Sequence, residues 1–326
     1  MISCKASDLR RRAQEQLGKA TAPKRLVLLH TLVALGSALL IAGLNILFNS
    51  LIADTGGLSG MGARSILSTV QTLLETAVMM ALPFWQISLS FLALCWARNI
   101  YTRTGDLLQG FRRLGSVLGF RLLYGLVFFV LGLAALYLSS AIFMMTPFSA
   151  PILEEFAPLM DPAATAQQIE TLFSPEQMEA MAGKMTPFFI LFGIVFILAA
   201  IPVFYRLRLG EFALMDGMGG GGALLCSFRL TRKNWRHLVK LDLSFWWFYG
   251  LQVLCNLIGN GDRLLPYLGI HLPVSESAAY FLFLALGTAL QLLVLWQFQG
   301  QVLTSYAVLY DDLSPLREEP FTKQSP

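Results

Sequence analysis

The sequence predicts an all-α polytopic membrane protein with six transmembrane helices and additional amphipathic helices at the interface. Composition and the alternation of apolar runs with cationic connections predict it. The 326 residues are 56% hydrophobic and 13% charged, and the mean hydropathy is +0.61. An ordinary soluble domain carries about 25% charged residues. Half that supply cannot cover a globule of this size, so lipid must be part of the solvent. Six mostly apolar runs follow, at about 26–52, 77–97, 119–145, 187–205, 241–259 and 278–299. Each approaches the roughly 20 residues that a membrane-crossing helix needs. Helices are expected because an open sheet edge in lipid leaves backbone groups unpaired, and no ten-residue alternating barrel pattern occurs.

The N-terminal stretch `ASDLRRRAQEQLGK` places Leu9, Ala13 and Leu17 at helical spacing, with arginines on the other face. It precedes the first apolar run and lacks the short basic start and cleavage region of a signal peptide, so that run is expected to be a retained span. The second connection, `TGDLLQGFRRLGSVLGF`, repeats the pattern, with Leu107, Leu108, Phe111, Leu114 and Leu118 on one stripe and Arg112 and Arg113 off it. Basic amphipathic helices of this kind either simply anchor the topology or settle at anionic headgroups. The third connection, 146–186, is acidic and carries Pro147, Pro151, Pro158, Pro162 and Pro175. Within it `SPEQMEAMAGK` reads as a short helix with Ser174 or its neighbour at the N-cap, Pro175 at the first position and acids in the first turn. Residues 314–326 read as a disordered tail, and 1–313 as a single membrane domain.

Lys and Arg accumulate on the cytoplasmic side of membrane proteins. Twenty-one of the 24 lie in the N-terminal segment, the second and fourth connections and the C-terminal tail; Arg64, Lys184 and Arg263 occupy the other three connections. The expected topology places both termini in the cytoplasm of a cell bounded by a plasma membrane, and the acidic 146–186 loop outside. Cys4, Cys95, Cys226 and Cys255 are far apart and form no zinc spacing or disulfide framework.

Gly217, Gly219 and Gly222 in `LMDGMGGGGALLCSF` fit G-x-G-x-x-G, a fingerprint that needs a preceding strand and a βαβ unit. Neither fits between two membrane helices about 35 residues apart. The expected role is plainer: Asp216 as an N-cap, and the glycines as a flexible lead-in to a short basic helix over 223–236.

The segment `EFALMDGMGGGGALLCSFRLTRKNWRHLVKLDLSFWWFYGL`, followed by `LLPYLG`, resembles a bacterial integral-membrane family, the domain of unknown function 975 family. The resemblance is carried by Asp216, Ser227, Leu243, Ser244, Phe245, Trp247, Pro266 and Tyr267, by the opening `SDLRRRAQEQLGK` and by the closing `VLTSYAVLYDDL`. The glycine run and the long acidic loop depart from the family pattern. The resemblance implies a membrane fold with no established activity; a fainter likeness to the membrane regions attached to some glycerophosphodiester phosphodiesterases implies an accessory role near lipid metabolism.

Candidate site residues are therefore family-motif positions (Asp216, Ser227, Asp242, Ser244, Trp247, Pro266, Tyr267) and headgroup contacts (Arg10, Arg11, Arg12, Arg112, Arg113, Arg232, Lys233, Arg236). His30, His237 and His271 have no nearby ligand at metal spacing and read as structural; no catalytic, cofactor or metal set is expected. Asp242 and Glu211 lie close to Arg and Lys and read as halves of ion pairs; Asp242, opening the fifth run, also reads as a complement to a helix N-terminal dipole. Asn45, Gln86, Gln252, Asn256, Gln291 and Gln297 read as interhelical hydrogen-bonding amides. Trp235, Trp246, Trp247 and Trp296 read as interfacial anchors. No nucleic-acid partner is expected, because stacking aromatics are not interleaved among the charges of the two amphipathic stretches, 6–19 and 104–120. The favoured function is a non-enzymatic scaffold or accessory subunit contacting anionic lipid and a membrane or cytoplasmic protein. A transporter would require a polar midplane cavity between pseudo-symmetric halves. A headgroup-processing enzyme would require Asp216, Glu211, Asp242 and His237 in one pocket.

Overall fold

In the computed structural model, which describes residues 5–54, 61–151, 175–267 and 276–314, the chain is helical and no strand occurs among the described residues. The helices, in order, are α1 (Ala6–Lys19), α2 (Pro23–Asp54), α3 (Met61–Ala97), α4 (Gln109–Arg112) and α5 (Leu114–Met144). Then come α6 (Pro175–Leu207), α7 (Gly210–Met215), α8 (Gly220–Thr231), α9 (Trp235–Ser244), α10 (Trp246–Gly259), α11 (Gly261–Tyr267) and α12 (Glu276–Leu313). Five stretches among the described residues are long and apolar enough to cross a membrane: Pro23–Phe48, Ser65–Ala97, Leu114–Met144, Gly183–Met215 and Ala279–Leu313. Many of their apolar side chains point outward. Leu122, Phe129, Ile197 and Leu198 are each more than half exposed, an arrangement that water would penalise by roughly 1.5–3 kcal/mol per large side chain. The protein is an all-α polytopic membrane protein.

The fifth predicted run, 241–259, is not one helix. It breaks at Phe245, between α9 and α10. At 1.5 Å per residue the 14-residue α10 reaches about 21 Å, short of the ~30 Å hydrocarbon core. The seven-residue α11 follows directly and extends it. Three contacts keep this broken pair antiparallel to α12. Trp247 meets Phe298 edge-on at 4.6 Å, Gly259 lies against Gly287, and Gly261 lies against the Phe283 ring. A Cβ on Gly287 would stand 2.5 Å from the Gly259 Cα, so the crossing depends on two backbones meeting without side chains between them.

Several elements outrun their predicted bounds. α3 begins 16 residues before the expected second span, and α12 continues 14 residues past the sixth, through the closing aromatic segment. α6 starts at Pro175, so the short helix expected inside the 146–186 connection is continuous with the fourth span. Residues 152–174 and 315–326, with most of the acidic connection and nearly all of the tail, lie outside the described residues, as does His271.

The chain forms two compact units: Met1–Arg121 with Leu207–Pro326, and Leu122–Arg206. In the second, α5 and α6 meet antiparallel through Phe143 on Phe188 at 5.5 Å and Phe196 beside Gly132. In the first, α1 packs against α3, α9 and α12. The α1 stripe expected at the lipid surface therefore faces protein, and Leu9 and Ala13 are fully buried. The second connection is likewise not one amphipathic helix. It divides into a 3-10 turn (Thr104–Leu108), α4 and the start of α5. Leu107 is buried while Leu108, Leu114 and Leu118 are exposed. Gly110 allows α4 to lie against α3, where any Cβ would strike the Phe84 carbonyl.

Candidate functional site: a layer of buried ion pairs

The ends of α3, α6, α7, α9 and α12 gather with α1 at one end of the first unit, and the polar chemistry of the protein is concentrated there. α3 stops through Asn99, which takes a left-handed φ of 54°. The Ile100 N–H returns to the Cys95 carbonyl at 2.8 Å and the Asn99 N–H to that of Trp96 at 3.2 Å, the double bond of a Schellman stop. Arg98 is thereby held at the last turn, aimed at two carboxylates. Its guanidinium donates to Asp216 at 2.6 and 3.1 Å and to Asp311 at 2.6 and 3.1 Å. The planar fork of Arg suits such paired recognition. Burial works against the cation, but hydrogen bonds and attraction from Asp216 and Asp311 prevail and hold Arg98 above its usual range. The Tyr310 hydroxyl donates to Asp216 at 3.0 Å, and its ring stacks on Phe212.

Asp216 is the C-cap of α7, not the N-cap of the following helix. Gly217 comes next with φ 108°. The Met218 N–H bonds to the Ala213 carbonyl and the Gly217 N–H to that of Leu214, so the glycine run opens as a second Schellman stop. α8 starts at Gly220 and ends at Thr231, rather than covering 223–236. A Cβ on Gly220 would strike the backbone of Ser116, Gly119 and Phe120. The glycines follow a helix and pack against a helix, so no strand-turn-helix phosphate cradle exists here.

A second cluster surrounds Asp242. This residue sits in the last turn of α9, where the helix dipole opposes a negative charge; the expected complement to an N-terminus is therefore incorrect. The charge is held instead by hydroxyls from Tyr249, at 2.7 Å, and Tyr306, with Arg208 3.8 Å away. Arg208 also lies 4.7 Å over the Tyr306 ring, a cation–π contact.

Further ties complete the layer. Arg12 pairs with Asp312. Arg10 donates to the Ser244 carbonyl at 3.0 Å and covers the Phe245 ring at 5.1 Å. Arg113 donates to the Leu214 carbonyl at 3.0 Å. Glu211 accepts from Arg121 at 3.0 Å and from Ser90 at 3.0 Å, the ion pair expected of it. Ser227, fully buried, accepts the Leu209 N–H at 3.1 Å and so closes the start of α7. Pro266 and Tyr267 belong to α11, with their side chains outside the described ones.

The basic residues expected at headgroups divide in two. Arg10, Arg12 and Arg113 engage other elements, while Arg11, Arg112, Arg232, Lys233 and Arg236 are exposed, Arg11 lying 4.0 Å from Asp8 and Arg236 over the Trp235 ring. His30 stacks on Trp85 at 5.4 Å. Its Nε2–H donates to the Trp85 carbonyl, and the Trp85 indole donates back to the His30 carbonyl, so the residue ties α2 to α3. Among the described residues no group of three His, Cys, Asp or Glu could hold a metal ion. Asp216, Glu211 and Asp242 each meet a different arginine and do not converge on one pocket.

Sequence reasoning did not single out Arg98, Tyr249, Tyr306, Tyr310, Asp311 or Asp312 as site residues. One signal was present: Tyr306 and Tyr310 stand four apart and face the same way on a helix. No family model, curated protein or solved structure matches the chain.

Proposed function

We propose that this protein is a non-enzymatic scaffold or accessory subunit of a plasma membrane, with both termini in the cytoplasm, contacting anionic lipid and a partner protein. The likeness to the domain of unknown function 975 family belongs to the same reading. One observation carries it. Asp216, Asp242, Asp311, Asp312 and Glu211 at the charged end are taken up in internal pairs, while Arg11, Arg112, Arg232, Lys233 and Arg236 are exposed, as are Leu225, Phe228, Trp235 and Trp246. Neutralised carboxylates inside and cations with aromatics outside suit a surface that receives anionic headgroups.

The test is affinity purification of the full chain in mild detergent, with identification of the proteins and lipids that follow it. Enrichment of anionic over neutral lipid together with a stoichiometric protein is expected. A monodisperse chain carrying only a small solute would overturn the reading in favour of transport.

A further inference from the structure

A cleft of about 410 Å³ opens between the end of α1, the start of α2 and the middle of α12. Lys24 stands on its wall, donating to the Gln297 Oε1 at 3.1 Å and lying 5.9 Å over the Trp296 ring. An ammonium has three donors, so two remain for a ligand. Gln14 and Gln301 add amide groups, and no carboxylate lines the cleft. Leu17, Val27 and Phe298 supply apolar wall. This is the composition expected of a ligand pocket, apolar walls with a few polar groups, and its volume falls in the usual range.

Its depth decides what it would hold. Lys24 is the second residue of α2, and Trp296 and Gln297 stand at the inner end of the apolar 278–299 run, where Lys and Trp anchors mark the headgroup level. One turn further into that run, Leu293 is exposed and offers an acyl chain a surface. We infer that this cleft binds one anionic phospholipid, its phosphate on Lys24 and the flanking amides and an acyl chain running along α12. This rests on the proposed placement of the charged end at an anionic leaflet.

Gly18 gives a clean test. It lies in α1 on the cleft wall, and a Cβ built there meets nothing within 4 Å. A leucine there starts from open space on the cleft wall and narrows the cleft, and it favours the helix over glycine. The full chain in neutral detergent is titrated with dioctanoyl phosphatidylglycerol, and bound lipid is counted by native mass spectrometry. Dioctanoyl phosphatidylcholine and inorganic phosphate serve as competitors. The parent should hold one phosphatidylglycerol that neither competitor displaces. Lys24→Gln should weaken it about fivefold, the factor one basic side chain at a headgroup surface is worth, and Gly18→Leu should also weaken it. A parent that prefers phosphatidylglycerol, with both variants unchanged, overturns the site alone. A parent with no preference over phosphatidylcholine overturns the anionic-lipid reading and the site with it. Displacement by phosphate overturns the assignment to a lipid.

Discussion

Removing the guanidinium of Arg98 would leave Asp216 and Asp311 facing each other, with side chains only 6% and 18% exposed. Uncompensated buried charge is costly, and breaking such a pair from one side typically costs about 3–5 kcal/mol. Arg98→Met is therefore expected to lower unfolding stability in detergent by about 3 kcal/mol. Arg98→Lys should recover only part, because an ammonium cannot fork to two carboxylates at once. Indistinguishable unfolding curves for parent and Arg98→Met would remove the cluster from any account of stability. Tyr306→Phe deletes one donor to Asp242 and should cost about 1.5 kcal/mol, the usual worth of a hydrogen bond to a charged group. These partners were not legible in the sequence because spacing carries information only within an element. Arg98 is 118 positions from Asp216 and 213 from Asp311, and nothing local distinguishes it from an arginine that merely marks the inner side of the membrane. Ser227 and Asp242 were legible as polar positions, but their roles waited on the helices that approach them.

At the scale of the element, hydropathy located the apolar runs and left their ends unmarked. α12 continues past its apolar run because Thr304, Ser305, Tyr306 and Tyr310 are buried by neighbouring protein, which a water-to-lipid scale has no means of reporting. The break at Phe245 likewise has no proline or glycine beside it. It coincides with the Ser244 carbonyl accepting from Arg10 across 234 residues of sequence. Glycines were the opposite case, easily seen and misassigned in role. If Gly217 is a helix stop, Gly217→Ala should destabilise by about 1 kcal/mol, since alanine is strained at φ 108°. Gly222→Ala, whose Cβ meets nothing within 4 Å, should be neutral or slightly stabilising. Equal effects at both would contradict this division of the run. Gly287→Val should be more severe than either, because the Gly259 backbone opposite cannot move aside as a flexible side chain would.

For the whole molecule, the decisive relation is that α1 and the end of α12 lie together. Arg12 and Asp312, 300 positions apart, form one ion pair, so the described start and finish of the chain are held at the same end of their unit. That end also carries Arg98, Arg113, Arg121 and Arg208, the connections richest in cations. An even number of crossings follows if the broken α10–α11 pair makes the return journey beside α12, and the proposed orientation then has one experimental consequence. In a background with the four cysteines replaced by alanine, Glu154→Cys should react with a membrane-impermeant maleimide on intact cells. Gln324→Cys should react only after the membrane is permeabilised. The reverse pattern would invert the map and place the acidic connection inside. Labelling of both positions on intact cells, or of neither, would mean an odd number of crossings or a map without this parity. Either outcome would contradict the Arg12–Asp312 pair, which holds the two described ends on one side, and the membrane map would fall with it.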